Sequence, residues 1–234
     1  MATQYIKIMK KLAIVFIVLA FCTSPKTDPR IKKFEDYLGP EKVEVINTAV
    51  HLFDSVVTGL YKSPHINTSY QRFMADLKND RIKLRTLFNE NELRKLHEHC
   101  KSSGLWNELH LEFRRVYVKD GDLFTEFAYI PLGSDTPVYT MESQQITPKL
   151  KCDSLTIDSL VKEEKQTLWF NPSGKYMKAV DLIKDNDSTI IKYLDIKETS
   201  GSVLPNLLAG GFIYSKADFN DYFIRRIFAV ELLL

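Results

Sequence analysis

Residues 109–130 read LHLEFRRVYVKDGDLFTEFAYI, and this stretch decides the fold class. Its apolar side chains alternate with polar ones, which predicts a β-strand. The alternation changes phase near Arg114, which predicts a β-bulge. Asp120 and Gly121 form a typical two-residue hairpin turn, because both positions require positive φ angles. A return strand is predicted over residues 123–130, so the stretch as a whole predicts an antiparallel hairpin.

Short apolar runs separated by turn residues continue after the hairpin. They predict further strands over residues 138–146, 167–170, 176–183 and 189–196. A turn over residues 171–174 separates the second of these strands from the third. The connections are too short to hold crossover helices. The strands are therefore expected to form an antiparallel sheet within residues 105–200.

Helical periodicity dominates the chain before the hairpin. Apolar residues over 43–60 recur at alternating spacings of three and four, which predicts a helix that starts at Pro40. Two shorter helices are predicted after it, over residues 70–77 and 89–104. The second of these is expected to have Asn89 as its N-cap. The first half of the chain is therefore predicted to be mainly helical.

The C-terminal segment returns to a helical pattern. Residues 205–209 form a short apolar piece that Gly210 and Gly211 are expected to stop. A longer helix is predicted after a capping box at Ser215, with apolar residues on both of its sides. Such a helix is buried in the core or covered by a partner, and burial is the expectation here.

These patterns together predict an α+β fold with a single domain over residues 31–234. A signal peptide over residues 1–21 and a tether over residues 22–30 are expected to precede it. The domain is expected to have a helical part at 31–104, a sheet part at 105–200 and a C-terminal helical part at 203–234.

The first residues of the chain have the pattern of a secretory signal. Residues 1–11 contain lysine but no acidic residue, and residues 12–21 (LAIVFIVLAF) are uniformly apolar. A bilayer-spanning helix needs about 20 apolar residues, so this run is too short to span and has the length of a signal-peptide core. The pattern predicts export from the cytoplasm.

Leu19-Ala20-Phe21-Cys22 resembles the lipobox of bacterial prolipoproteins. Phe21 departs from the family pattern, which has Gly, Ala or Ser before the cysteine. The resemblance implies lipidation of Cys22 and attachment to a membrane of the bacterial cell envelope, in the periplasm or at the outer membrane. Two alternatives remain open, namely cleavage after Cys22, which would release a soluble periplasmic or secreted protein, and an uncleaved leader that serves as the anchor.

The charge balance argues against a nucleic-acid partner. The chain has 32 basic and 30 acidic residues, and three of the basic ones lie in the leader. The remaining chain is therefore close to neutral, whereas a protein that binds nucleic acid is expected to keep a basic excess on its folded part.

Cys100 and Cys152 are the only cysteines inside the domain expected over residues 31–234. In an oxidising compartment they are a candidate disulfide pair. The alternative is two buried thiols that pack as small apolar residues.

The densest group of metal-ligand residue types is His97-Glu98-His99-Cys100. On a helix, His97 and Cys100 share a face but His99 points elsewhere. Zinc usually requires three or four converging ligands, so the sequence predicts no metal site and no cofactor. His51 is expected to be half-buried beside the long helical stripe, and His110 to lie on the polar side of its strand.

No motif for nucleophilic catalysis is present, and the catalytic residues of any enzyme activity are unknown. The leading hypothesis is a non-catalytic binding or structural role in the cell envelope, with a protein or an apolar ligand as partner. One alternative is an exported hydrolase with an unrecognised site. The other is a sensor or assembly component that makes contact through its C-terminal aromatic helix.

Overall fold

A computed structural model describes residues 28–119, 122–129, 136, 138–145 and 154–234. The fold is α+β, as predicted: it is mostly helical, with a small antiparallel sheet in the middle of the chain. Before the sheet come α1 (Pro29–Leu38), α2 (Pro40–Tyr61), α3 (Ile66–Lys78), a 3₁₀ turn (Leu84–Thr86), α4 (Glu90–Ser102) and α5 (Leu105–Leu109). The sheet consists of β1 (Glu112–Lys119), β2 (Asp122–Tyr129) and β3 (Val138–Gln145). After it come α6 (Ser154–Gln166), α7 (Lys175–Asp181), α8 (Ser188–Ser200), α9 (Pro205–Tyr214) and α10 (Tyr222–Leu233).

The predicted long helix is confirmed as α2. It begins at Pro40, where the missing N–H of proline has no cost, and its apolar stripe is buried from Val43 to Val57, whereas Leu60 near its end is 45% exposed. The predicted N-cap of α4 is also confirmed, because the Asn89 side chain accepts hydrogen bonds from the main-chain N–H groups of Asn91 and Glu92. Helices with a full stripe and a clear cap were therefore predictable from sequence.

The three strands form an antiparallel meander in the order β1-β2-β3. The pairing register of β1 shifts between Phe113 and Arg115, which confirms the predicted bulge. Asp120 and Gly121, the predicted turn, lie outside the described residues. β3 confirms the strand predicted from Val138.

The prediction of a sheet part extending to residue 200 was wrong. Residues 176–183 and 189–196 were expected to be strands, but they lie mostly within α7 and α8. Residues 167–170 contribute only an isolated bridge between Phe170 and His110. Periodicity alone does not separate a short buried strand from a short buried helix, and here packing against neighbouring helices decides in favour of helix.

Two predicted boundaries in the C-terminal region were also wrong. α9 continues through Gly210 and Gly211, since a glycine inside a helix costs only about 1 kcal/mol and the packing of α9 against α3 offsets it. α10 begins at Tyr222 and is capped by the side chain of Asp221, six residues after the predicted cap at Ser215.

The core lies between the first helices and α10. α10 packs on α2, and its residues are buried on both sides, as predicted. Phe53 of α2 and Phe228 of α10 meet edge to face, with ring centroids 5.3 Å apart. Five further aromatic rings surround this pair, from Tyr70, Phe73, Phe88, Phe212 and Phe219. The abundance of aromatic residues is thus largely explained by the core.

The domain starts slightly earlier than predicted. α1 begins at Pro29, inside the expected tether 22–30, and Arg30 forms ion pairs with Asp187 and Asp221. These contacts attach the start of the described chain to the starts of α8 and α10. Among the described residues, no helix combines the length and the apolarity needed to cross a bilayer.

Candidate functional site

A cleft of about 410 Å³ lies where α4, α5, α8 and the end of α10 meet. We call it the histidine cleft. The side chains that matter for its chemistry are His97, Trp106, His110, Phe170, Lys197 and Glu231. Its volume is within the range of small-molecule binding sites, about 300–1,000 Å³.

Two histidines of the cleft hold the end of α10. Nε2 of His97 lies 2.7 Å from the main-chain oxygen of Leu233, and Nε2 of His110 lies 2.8 Å from that of Leu234. A carbonyl oxygen only accepts hydrogen bonds, so in both rings Nε2 must carry the proton and donate. In the neutral form of either ring, Nδ1 is the hydrogen-bond acceptor.

His110 is in an apolar environment. Its ring centroid lies 4.4 Å from that of Trp106, and burial lowers the pKa of His110 below its ordinary value. Nδ1 of His110 is buried and has no hydrogen-bond partner among the described residues. His110 therefore lines the cleft as a neutral imidazole, while its buried Nδ1 is not open to the cavity.

Lys197 and Glu231 form a buried ion pair beside the histidines. Lys197 Nζ lies 3.1 Å from Glu231 Oε2, and the two side chains are 5% and 9% exposed. The hydroxyl of Tyr193 donates to Glu231 Oε1 at 2.6 Å, and burial raises the pKa of Tyr193, so the donor keeps its proton. Lys197 Nζ also lies 3.9 Å from the ring centroid of Phe170. The charges of the pair cancel, so this wall carries no net charge.

A second cavity of about 530 Å³ adjoins the histidine cleft. The two share Leu168, Phe170, Lys197 and Ser202. The second cavity also reaches Tyr129 and Thr140 of the sheet, so a concave surface runs from the end of α10 to β2 and β3.

Among the described residues, no side-chain carboxylate orients either histidine of the cleft. A catalytic histidine that acts as a base is usually oriented by a carboxylate. Among the described residues, the hydrogen bonds of His97 and His110 go to main-chain oxygens, and the carboxylate of Glu231 is used by Lys197 and Tyr193. In the same part of the chain, no group of three His, Cys, Asp or Glu residues is placed to hold a metal ion.

The residues predicted for modification are mostly outside the described structure. Cys22, the predicted lipidation site, and Cys152, one half of the candidate disulfide, lie outside the described residues, so both hypotheses stay predictions. Cys100 is fully buried in α4. As a free thiol, Cys100 has a pKa that burial raises to about 12. The thiol therefore stays protonated at neutral pH and is a poor nucleophile.

Two histidine predictions require correction. His51 was expected to be half-buried but is exposed, because it lies beside the apolar stripe of α2 and outside the packed face. His110 was expected on the polar side of a strand. It instead precedes β1, is partly buried and lines the histidine cleft.

Sequence reasoning did not find Trp106, Lys197 and Glu231. One signal for Lys197 was present: it follows Ile190 and Tyr193 at helical spacing, so it occupies a position on the buried stripe of α8. A lysine on a buried stripe requires a buried acidic partner. That partner, Glu231, is 34 residues away, and only the folded chain brings it into contact.

No protein-family model, no curated protein and no solved structure matches this chain.

Proposed function

We propose that this chain is an exported, non-catalytic binding protein of the bacterial cell envelope, anchored by a lipid on Cys22. Its ligand is a small, uncharged molecule with an apolar body, held in the histidine cleft. The observation that carries this proposal is a cleft of ligand size in which apolar side chains lie beside the mutually neutralising Lys197–Glu231 pair.

The lining of the cleft supports an uncharged ligand. Trp106, Phe170 and Val203 provide apolar surface, while Lys197 and Glu231 neutralise each other. An ionised ligand would lose its hydration without finding a free opposite charge on this wall. The apolar body of the ligand would pack on the aromatic rings.

The export part of the proposal is supported by the sequence of residues 12–21 and by the lipobox-like residues that end at Cys22. Intact-mass analysis of the full chain from a bacterial host tests it directly. We expect residues 1–21 to be absent and Cys22 to carry an acyl-lipid mass. A mature chain that starts at Thr23, recovered in the soluble fraction, would contradict the anchor.

The binding part is tested with N-phenyl-1-naphthylamine, an uncharged apolar probe with a single N–H donor. We expect its fluorescence to rise and saturate when it is titrated with the full chain. Ser202→Phe places a ring in the cleft and should raise the probe's Kd at least about ten-fold, which corresponds to ~1.4 kcal/mol. His110→Phe should also weaken binding, because it removes the hydrogen bond from His110 Nε2 that holds the end of α10 at the cleft.

Ser102→Phe is the matched control. Ser102 and Ser202 are both exposed, and each donates one hydrogen bond to a main-chain oxygen, but only Ser202 lines the cleft. The control should bind the probe as the wild type does. Unchanged affinity in both Ser202→Phe and His110→Phe would place the probe elsewhere and contradict the proposed site.

A further inference from the structure

One face of α9 is apolar and exposed. The helix reads PNLLAGGFIY and contains no charged residue. Leu204, which precedes it, and Leu207 are each 64% exposed, and Tyr214 is 80% exposed. With Ile213 these residues form what we call the α9 face. Contiguous apolar side chains that are exposed often mark a surface that contacts a protein or a membrane. The α9 face is therefore a candidate contact surface.

The structure places one end of this face close to the start of the described chain. Arg30 bonds the carboxylate of Asp187 at 3.1 Å and that of Asp221 at 2.7 Å. Asp187 caps α8, and Asp221 caps α10 directly after the loop that follows α9. The first described residues are thereby attached where α8 and α10 begin.

The packing of α8 against α9 shows which end of the α9 face lies there. The two helices run antiparallel along a narrow apolar groove of about 200 Å³. Thr189 and Lys192, near the start of α8, line it together with Tyr214, at the end of α9. The Tyr214 end of the α9 face is therefore at the same end of the molecule as Asp187.

The tether to the proposed anchor is short. Five residues separate Cys22 from Asp28, so even a fully extended chain spans at most about 20 Å between them. A lipid on Cys22 therefore keeps this end of the domain close to the bilayer. We infer that the α9 face lies on the surface of the membrane that holds the lipid, with Tyr214 and Leu207 in contact with lipid. The inference rests on the proposed anchor.

The side chains around Tyr214 suit an interface between lipid and water. Lys192 Nζ lies 4.9 Å from the ring centroid of Tyr214. Tyrosine and lysine both place an apolar stem towards lipid while a polar end remains hydrated. Leu204 and Leu207 add apolar surface, and the absence of charge along α9 lowers the cost of contact with lipid.

Quenching by brominated phosphatidylcholine provides the test. The full lipidated chain is reconstituted into neutral dioleoylphosphatidylcholine vesicles that contain the brominated lipid. Tyr214→Trp places a reporter on the α9 face, and Tyr139→Trp is the matched control, because Tyr139 is 58% exposed on β3. Both variants keep the native Trp106 and Trp169, so the difference between them reports the new position.

We expect the added fluorescence of the Tyr214→Trp variant to be quenched at least about two-fold more than that of the Tyr139→Trp variant, because bromine quenches only at short range from inserted side chains. Adding Leu207→Asp to Tyr214→Trp should abolish this excess while the protein stays with the vesicles. Equal quenching of the two reporters in an acylated protein would overturn the inferred membrane contact of the α9 face and leave the proposed lipid anchor intact.

Two further outcomes separate the alternatives. A chain without acyl mass on Cys22 would overturn the proposed anchor and, with it, the membrane contact inferred here. A dimer in detergent solution that Leu207→Asp dissociates, with no excess quenching in vesicles, would assign the α9 face to a second copy of the chain and overturn the inference.

Discussion

Gly174 lies directly against the main chain of Glu108. A Cβ atom on Gly174 would stand 1.9 Å from the carbonyl oxygen of Glu108, which is far inside van der Waals contact. The side chain of Glu108 also accepts a hydrogen bond from the main-chain N–H of Lys175 at 2.6 Å. This contact joins α5 to the start of α7, and it requires glycine at residue 174.

Replacing this glycine should destabilise the fold. Gly174→Ala places a methyl group against rigid backbone, so we expect the free energy of unfolding to fall by about 2 kcal/mol, as for other overpacked sites. Gly59→Ala is the control: Gly59 lies inside α2 with nothing near its Cβ position, and we expect a gain of about 0.5–1 kcal/mol. Urea unfolding measures both, and equal effects would argue against the close approach.

Breaking the buried ion pair should be costly. Lys197→Met leaves the Glu231 carboxylate buried with Tyr193 as its remaining partner, and we expect a loss of about 3 kcal/mol in the free energy of unfolding. Combining it with Glu231→Gln removes the uncompensated charge and should restore at least half of that loss. A double-mutant cycle in urea gives the coupling, and additive effects would contradict the pairing.

His110 should make stability depend on pH. Burial lowers its pKa in the folded chain below the usual 6.5, so the unfolded chain binds the proton first as the pH falls. The free energy of unfolding should therefore decrease from about pH 7 towards pH 5. His110→Gln should flatten this dependence, whereas His51→Gln, at an exposed position, should leave it unchanged. Urea unfolding across the pH range checks this, and the idea fails if His110→Gln keeps the wild-type slope.

Arg30 should contribute more to stability than other charged residues of α1. Its guanidinium bonds Asp28, Asp187 and Asp221, so Arg30→Gln leaves these carboxylates close together, and we expect a loss of about 1–3 kcal/mol. Lys32→Gln, which removes an exposed pair within the same helix, should change stability by less than about 0.5 kcal/mol. Similar losses in the two variants would contradict the role of Arg30.

The hydrogen bond between Arg30 and Asp28 should make the stability of the fold depend on pH in acid. Arg30 holds the pKa of Asp28 below its usual 3.8, mainly through the side-chain hydrogen bond. The folded carboxylate therefore releases its proton more readily than the unfolded one. The contribution of the Asp28 carboxylate to the free energy of unfolding is present at neutral pH and is lost as the pH falls below about 4. Arg30→Gln should remove that part of the acid dependence, which acid unfolding followed by circular dichroism measures.

Elements with strong local signals were predictable from sequence. The stripe and proline start of α2, the cap of α4 at Asn89 and the phase slip near Arg114 all correspond to observed features. Each signal involves residues close in sequence, so local geometry alone produces it. α7 and α8 were missed, because a short apolar run fits a strand as well as a helix until its neighbours decide.

The candidate site was much less predictable. His97 and His110 were noted individually, yet only the position of α10 brings both rings to neighbouring main-chain oxygens. Lys197 and Glu231 were not identified as a pair from the sequence. The hydrogen-bond partners of these four cleft residues are distant in sequence, and no local sequence pattern indicates which distant residues will meet.

The sequence by itself determined the near-neutral charge of the chain after residue 21, the α+β class and the burial of the C-terminal helix, and it predicted the export-type leader. These follow from composition and from short-range periodicity. Only the tertiary structure decided where the sheet ends, which charges are buried and that two histidines share a cleft. Those features depend on contacts between distant segments, whose free energy is gained only once the core has formed.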